Sequence, residues 1–526
     1  MCRNRSVLIV LALSVGLAVG NAQQVVFSFL NSPVPQRLAS VAVVGSSNLV
    51  AVGTNSVSVF SSLDGTTITS NKVVPANLNL LSILHTPQGL IMGSDATGAL
   101  FHSQDGASWS AKGTIKSGFK LRGLAYSPGS NGTVVAISSY QEIRFSDLAL
   151  DQWKTSEFEG DRLLDGFQSI ASLGTNGFVV VGAGSLVRIS TNSGRTWKFA
   201  PQRKANAAAQ TLFGVATDRN TIVAVGDSGL ILTSLDAGQS WITNRLGGSA
   251  IRLNAVASRS GVFITVGQNG FVATSSDGLT WAPQAVGVTD NELTAVAYSA
   301  EADQEDVAVI AGAKGTILIA AKSPQKPESS GDRVGCAGSV NPELIVSVPK
   351  PLLADWFTSQ SGTDIVAAGT IAFRPPVQTN NALGISNYWV AARDPRTGYR
   401  SADREKVALT IYPRPTGNVS GGATVCEGNP SQIQASLTGV GPWTLTWSDG
   451  VVQSTNQSPA VRWVLLENSE SNRVRTENYR LIELQTTKDQ LICKALETEM
   501  TGNATIEVNP LPTAQVSGGG TICNGD

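Results

Sequence analysis

Through much of the chain, Val, Ile, Leu and Ala come in short bursts interleaved with small polar residues, and each burst stops at Gly, Asn, Asp or Ser. Segments 221–225, 230–234, 262–266 and 293–296 show the pattern. Short β-branched runs closed by turn residues predict strands and hairpins rather than helices. The chain is therefore expected to be all-β.

The strands recur in a fixed order. A motif of Ser, Asp, Gly and Trp reads Ser103-Gln104-Asp105-Gly106-Ala107-Ser108-Trp109, then Ser234-Leu235-Asp236-Ala237-Gly238-Gln239-Ser240-Trp241, then Ser275-Ser276-Asp277-Gly278-Leu279-Thr280-Trp281. Variants run from Ser190 to Trp197, with Asn192 in place of the acid, and from Ser62 to Ile68 around Asp64, with Ile in place of Trp. A worn copy runs from Ser146 to Trp153. Positions 64, 105, 147, 192, 236 and 277 are 41, 42, 45, 44 and 41 residues apart. A tight Gly turn precedes each motif: Gly226-Asp227-Ser228-Gly229, Gly267-Gln268-Asn269-Gly270 and Gly312-Ala313-Lys314-Gly315, with Gly182-Ala183-Gly184 and Gly53-Thr54-Asn55 in register. Each unit reads strand, strand, Gly hairpin, strand, Asp turn, strand. Four short strands per roughly 40–50 residues make one blade of a propeller. Starts near Leu38, Leu81, Leu121, Phe167, Leu212, Leu253 and Leu293 predict a seven-bladed β-propeller over 23–322. The last unit ends at Ala320-Ala321-Lys322 with no Asp turn, so the strand-like Val25–Leu30 is expected to supply its missing outer strand.

These paired turns resemble the Asp-box (BNR) propellers, and more closely those of the photosystem II assembly-factor type. The likeness speaks to fold, because such folds host many activities. In the Asp motif, the carboxylate of Asp64, Asp105, Asp236 or Asp277 (the amide of Asn192) can accept N–H groups of its own turn. The Gly supplies positive φ, and Trp109, Trp197, Trp241 and Trp281 can pack between blades. All these roles are structural. The hairpin tips differ from copy to copy while their flanks repeat, so binding candidates are Asn55, Asp95, Tyr140, Asp227, Gln268, Asn269 and Lys314.

Catalysis finds little support in the sequence. Sialidases share the Asp motif, but the nearest match to their Arg-Ile-Pro signature is Val187-Arg188-Ile189-Ser190, which has neither the preceding aromatic nor the Pro. Tyr126, Tyr140 and Tyr298 have no evident Glu partner. A glycosidase needs two placed carboxylates. The acidic stretches, Glu157, Glu159, Asp161, Asp165 and Glu301, Asp303, Glu305, Asp306, fall where the repeat predicts inserted surface loops. The two histidines, His85 and His102, are expected on strands without a third ligand, so no metal and no cofactor is expected.

Beyond a Pro- and Ser-rich linker at 323–331 the rhythm stops. Strand-like runs at 343–348, 365–367, 387–392 and 407–411 follow. Val419-Ser420-Gly421-Gly422-Ala423-Thr424-Val425-Cys426 is echoed by Val516-Ser517-Gly518-Gly519-Gly520-Thr521-Ile522-Cys523, 97 residues on. Cys426, Trp447 and Cys493 then run in the order of an immunoglobulin-like sandwich. The region resembles the Ig-like repeats of large bacterial surface proteins, notably of Bacteroidetes. That resemblance implies Ig-like domains at 332–413 and 414–510 and the truncated start of a third at 511–526. Apart from Cys2, four cysteines allow three connectivities. The repeat favours Cys426–Cys493 with Trp447 packed on it, and leaves Cys336 and Cys523 without partners. The departure at Tyr399, where the related repeats often carry Cys, puts a disulfide in the first Ig-like unit in doubt.

Arg3 and Arg5 precede an apolar run to Gly20, and Gly20-Asn21-Ala22 fits a cleavage site, so 1–22 reads as a secretory signal peptide. That run is shorter than the ~20 residues needed to span a bilayer, and no later stretch qualifies. Charged residues are only 15% of the 526, and 38 Lys+Arg against 39 Asp+Glu leave a net charge of −1. A nucleic-acid binder needs a basic face, so that class is set aside. The expectation is a secreted or cell-surface bacterial protein without catalysis. The propeller would bind a protein or glycan at its rim, and the Ig-like units would hold it off the surface. The alternatives are a glycoside-acting hydrolase and an assembly or stability factor that binds a partner protein.

Overall fold

The structure is a computed structural model. It describes residues 25–512 apart from 73–77, 95–96, 130–131, 161–165, 202–209, 247–250, 285–288, 300–306 and 469–472, together with 515, 517 and 518. The expected signal peptide, Asp95, Asp161, Asp165, Glu301, Asp303, Glu305, Asp306 and Cys523 lie outside the described residues. The chain divides into two compact units, one running to Pro324 and including Asp394–Arg400, the other comprising Gln325–Arg393 and Ser401–Asp526. No helix among the described residues is long and apolar enough to cross a membrane.

Among the described residues, the first unit holds seven antiparallel sheets, one of which gains a fifth, parallel strand. Leu212–Asp218, Thr221–Gly226, Leu230–Ser234 and Ile242–Arg245 form a representative sheet, paired in chain order. The first strands begin at Leu38, Leu80, Leu121, Phe167, Leu212, Leu253 and Leu293, within one residue of the starts read from the repeat. First strands of successive sheets touch one another, and Leu293–Tyr298 touches Leu38–Val44, so the sheets close around a common axis as a β-propeller. The second strand of each sheet is nearly all apolar and buried, as in Thr221–Gly226 and Val262–Gly267, because sheets pack on both of its faces. Core clusters accordingly span neighbouring sheets: Val179, Val181 and Ile189 of one pack with Leu212, Ile222 and Leu232 of the next.

Val25–Leu30 closes the ring. It pairs antiparallel with Ile317–Lys322, from Val25 opposite Lys322 to Leu30 opposite Ile317, as the outer strand of the last sheet. Tyr399 is part of the same core; its hydroxyl donates to the Ile319 carbonyl at 2.8 Å, and burial pushes the phenol well above its ordinary range. One acidic stretch differs from expectation. Glu157–Phe158 is not in a loop but adds the parallel fifth strand beside Thr196–Phe199.

The second unit holds two groups of strands with separate cores. The first group has sheets of three and five strands around Trp356, Val390, Leu409 and Ile411. The second has sheets around Ile433, Leu445, Trp447, Leu484 and Ile506. Glu328–Ser329, expected in the linker, already pairs with Leu344–Ser347.

The expected Cys426–Cys493 pair does not form. Cys493 is bonded to Cys336, with Cα atoms 5.6 Å apart, and Cys426 is a free, exposed thiol. The reason lies in the sheets. Cys426 ends the edge strand Thr424–Cys426, in register with Asn509, whereas Cys493 lies on Leu491–Lys494, in register with Thr486 of a different sheet. Trp447 therefore packs in a core of aliphatic and aromatic side chains that includes no cysteine, and its Nε1 donates to Gln453 Oε1.

Two outcomes follow from this architecture. A chain lacking residues up to Leu30 leaves the edge of Ile317–Lys322 open; it melts lower and self-associates, read by thermal denaturation and light scattering. Cys493→Ser removes a link that spans 157 residues and lowers the stability of the second unit by about 2–5 kcal/mol in denaturant titration, leaving the transition of the first unit in place.

Candidate functional site

The Gly hairpin joins the second and third strands of a sheet, and its shape follows from two hydrogen bonds. At Asp227 the N–H donates to the carbonyl of Thr211, just ahead of its own first strand. At Gly229 the N–H donates to Ile251, just ahead of the first strand of the next sheet. The same pair recurs from Thr54 and Ser56 to Arg37 and Leu78, from Ala183 and Ser185 to Gly166 and Gln210, from Gln268 and Gly270 to Arg252 and Asn291, and from Ala313 and Gly315 to Glu292 and Gln36. The last of these pairs joins the end of the ring to its beginning. So close an approach explains the glycines. A Cβ on Gly226 would stand 2.1 Å from the Thr211 oxygen, and one on Gly229, at φ +67°, 2.1 Å from the Leu246 oxygen.

With both ends fixed, the middle residues point to solvent. Asn55, Asn269 and Lys314 are exposed at φ 60°, 55° and 52°, and Asp227 and Gln268 are half-buried beside them. The third sheet has a different tip with the same anchor. Ser139 N–H donates to Lys120 O, Tyr140 is 63% exposed, and the Lys120 ammonium lies 5.0 Å from the Tyr140 ring centre. The hairpin tips share one end of the sheets with the starts of the first strands.

Those strand starts carry a second set of residues. In all seven sheets the pairing slips by one between the first and third residues of the first strand. The skipped residues are Ala39, Leu81, Arg122, Gln168, Phe213, Asn254 and Thr294, none of them buried. A bulge turns its extra residue out of the ladder and is found at barrel rims and beside active sites. This ring of seven positions around the axis was not among the candidates read from sequence. Its signal is present, however: each start reads apolar, variable, small, apolar, as in Leu212-Phe213-Gly214-Val215 and Leu253-Asn254-Ala255-Val256. The small residue is needed where the next sheet comes close; a Cβ on Gly214 would lie 2.9 Å from Ala255 Cα. Around the ring, Arg252 pairs with Glu292 at 2.5 Å, Arg37 reaches the same carboxylate at 3.6 Å, and the Arg252 guanidinium lies 5.1 Å from the Phe213 ring centre.

The Asp turns join the third and fourth strands of every sheet but the last, at the end opposite the hairpin tips. Asp236 accepts N–H groups of Gln239 and Ser240 and hydroxyls of Ser234 and Ser240. Asp64, Asp105 and Asp277 accept equivalent bonds, and Asn192 holds Thr196 N–H with its amide oxygen. The indole N–H of Trp109, Trp197, Trp241 and Trp281 donates to the Gly of its own motif, and each ring packs with side chains of the preceding sheet. The Ser240 hydroxyl and N–H bonds hold the Asp236 carboxyl down to about 2. The Ser108 N–H leads the lowering at Asp105; at Asp64 and Asp277 burial pushes the other way and the turn's hydrogen bonds outweigh it. Carboxylates held in this way are poor proton donors at neutral pH.

Other residues weighed for chemistry are scattered. Arg188 is buried on Val187–Ser190, with its guanidinium 3.7 Å from the Phe199 ring centre and a bond to the Glu159 carbonyl. His102 contacts the Gln88 carbonyl at 2.8 Å, and His85 is exposed on Leu80–Thr86. Among the described residues no three His, Cys, Asp or Glu side chains are grouped to hold a metal ion.

No protein-family model matches the sequence, and no curated protein matches it. Among solved structures, the chain is similar to YCF48 bound to a D1 peptide, at 16% identity over 57% of this chain and 96% of that one, with a TM-score of 0.46. It is similar to virginiamycin B lyase from Staphylococcus aureus at 12% identity over 57% and 99%, TM-score 0.48, and to the WD40 β-propeller domain of Doa1 at 11% identity over 57% and 98%, TM-score 0.45.

Protonation of Asp236 sets a pH dependence. Its carboxyl titrates near 2 in the folded chain against an ordinary value of 3.8, so its contribution to stability is whole above the ordinary value and fades as pH falls toward 2. Asp236→Asn, which keeps an acceptor as Asn192 does, melts a few degrees lower than the parent at pH 7, and the gap closes as melts are repeated down to pH 2.

Proposed function

We propose that this is a secreted or cell-surface, non-catalytic binding and adhesion protein. Its recognition head is a seven-bladed Asp-box propeller at 23–322, and its Ig-like domains, 332–413 and 414–510, are the spacer. One observation carries the reading: at the hairpin tips and the bulge ring, the backbone repeats from sheet to sheet while the side chain changes. A rigid frame that presents different side chains at equivalent places is suited to recognition. The Asp turns at the other end are committed to their own hydrogen bonds and offer no acid or base.

The hairpin tips and strand starts carry Leu81, Phe213 and Tyr140 together with Arg37, Lys120, Arg122, Arg252 and Lys314, and the acids Asp227 and Glu292, the latter paired with Arg252 and Arg37. Aromatic and Arg side chains are enriched at protein interfaces, which favours a protein partner over a neutral glycan. The same cations favour a partner-holding assembly factor as the second reading. A glycoside hydrolase would need two facing carboxylates, about 5–10 Å apart, in one cleft.

The test is a pull-down from surface extracts and a glycan array with the full chain, followed by variants of the ring. Arg122→Glu with Phe213→Ala weakens capture at least tenfold while the melting temperature stays within a degree or two. Equal capture by parent and variant would defeat the assignment of the ring. Glycoside turnover abolished by a carboxylate variant would replace binding with hydrolysis.

A further inference from the structure

Near its start, each strand group of the second unit carries a short strand that runs parallel to the group's last strand. Arg333–Cys336 runs beside Glu405–Tyr412 with Cys336 opposite Tyr412, and Thr424–Cys426 runs beside Ala504–Asn509 with Cys426 opposite Asn509. The likeness continues beyond the cysteine. Ala337 N–H donates to Tyr412 O, as Glu427 N–H does to Asn509 O. Ser339 N–H returns to Cys336 O, as Asn429 N–H does to Cys426 O, both at 3.1 Å. Gly338 and Gly428 both take positive φ, 74° and 84°. The two cysteines thus hold one position in one turn, Cys-x-Gly-Ser or Cys-x-Gly-Asn, and the sequence repeats it as Cys523-Asn524-Gly525-Asp526.

The two turns differ in what covers them. Cys336 is bonded to Cys493 of the following strand group, which also sends Arg414 to the Ala337 carbonyl at 2.6 Å and Asp489 to the Tyr412 hydroxyl at 2.8 Å. A Cβ on Gly338 would strike Arg414 Nη1 at 2.1 Å, whereas one on Gly428 meets nothing within 4 Å. Cys426 is exposed and unbonded. The chain that leaves each group also matches: Tyr412-Pro413-Arg414-Pro415 and Asn509-Pro510-Leu511-Pro512.

We propose that the turn at 426–429 is a docking site for a further strand group of the same kind. It would be closed by a disulfide between Cys426 and a cysteine at the place that Cys493 holds. The partner is identified by its twin: whatever covers Cys426 repeats what Cys493 and Asp489 do at Cys336, while the place of Arg414 in the exit chain is held here by Leu511. The bond forms by exchange. The thiolate of one cysteine attacks a disulfide oxidant, an oxidoreductase cystine or oxidised glutathione; the oxidant's S–S bond breaks, one of its sulfurs leaves as a thiolate that takes up a proton, and the other stays in a mixed disulfide. The second thiolate then displaces the oxidant's sulfur as a thiol. Two thiols lose two protons and two electrons, and the oxidant's disulfide is reduced. Stapled in this way, successive groups are joined by one covalent rung at each joint.

The test is a tandem chain in which residues 1–512 are followed by a second copy of 416–526, so that the native Asn509-Pro510-Leu511-Pro512 exit is preserved. In the chain of 526 residues, iodoacetamide labels Cys426 without denaturant. In the tandem chain, labelling of the first Cys426 falls at least tenfold, the second Cys426 remains labelled, and non-reducing peptide mapping finds the first Cys426 joined to the second Cys493. A retained Cys336–Cys493 link shows that the joint already present has folded. A first Cys426 that still labels fully beside that retained link overturns the proposal. If the tandem chain loses the link, mapping of the protein purified from its own cells decides: Cys426 joined to a cysteine of a following group supports the proposal, and a free thiol or a bond to Cys523 overturns it.

Discussion

The first unit depends on a pair of main-chain hydrogen bonds at each Gly hairpin. One holds the hairpin to its own first strand and the other to the sheet that follows. A buried N–H without a partner is costly, so each sheet is incomplete until its neighbour is in place. The hairpin must lie almost on the neighbouring backbone, which leaves no room for a Cβ at its ends. It follows that the tip side chains face solvent and that the start of each first strand is pinned while its next residue is pushed out of the ladder. Frame and display surface are two results of one backbone contact.

This explains which parts of the molecule are legible in sequence. The Gly and Asp turns are visible because only a few residue types satisfy positive φ, close approach and a self-bonded carboxylate. The strand starts are visible to within a residue because an apolar anchor begins each one. The bulge ring is harder to see because variability is its whole signature. Ala39, Arg122 and Phe213 share nothing but a place between an apolar residue and a small one. The acidic run around Glu157 reads as loop because it is polar, yet two of its residues find an exposed sheet edge, and main-chain pairing is indifferent to side-chain charge.

The disulfide shows a different limit. Order along the chain suggests pairing within a repeat, and Cys426, Trp447 and Cys493 have the right order. Bonding depends on which sheet edge carries each sulfur. The strands of Cys426 and Cys493 belong to separate sheets, while Cys336, from the preceding group, is brought to the second. Similarity between repeats predicts equivalent positions correctly and pairing wrongly, because equivalent positions in successive groups can be used between groups rather than within one.

The pairing of Val25–Leu30 with Ile317–Lys322 has a consequence for biosynthesis. The first strand of the ring to leave the ribosome must wait for the last before it finds its neighbour. Bringing such distant segments together costs more chain entropy than closing a local hairpin, so ring closure is slower than formation of the hairpins. Until then each nascent sheet can build on the one before it, but the circle exists only once the whole circumference has been translated.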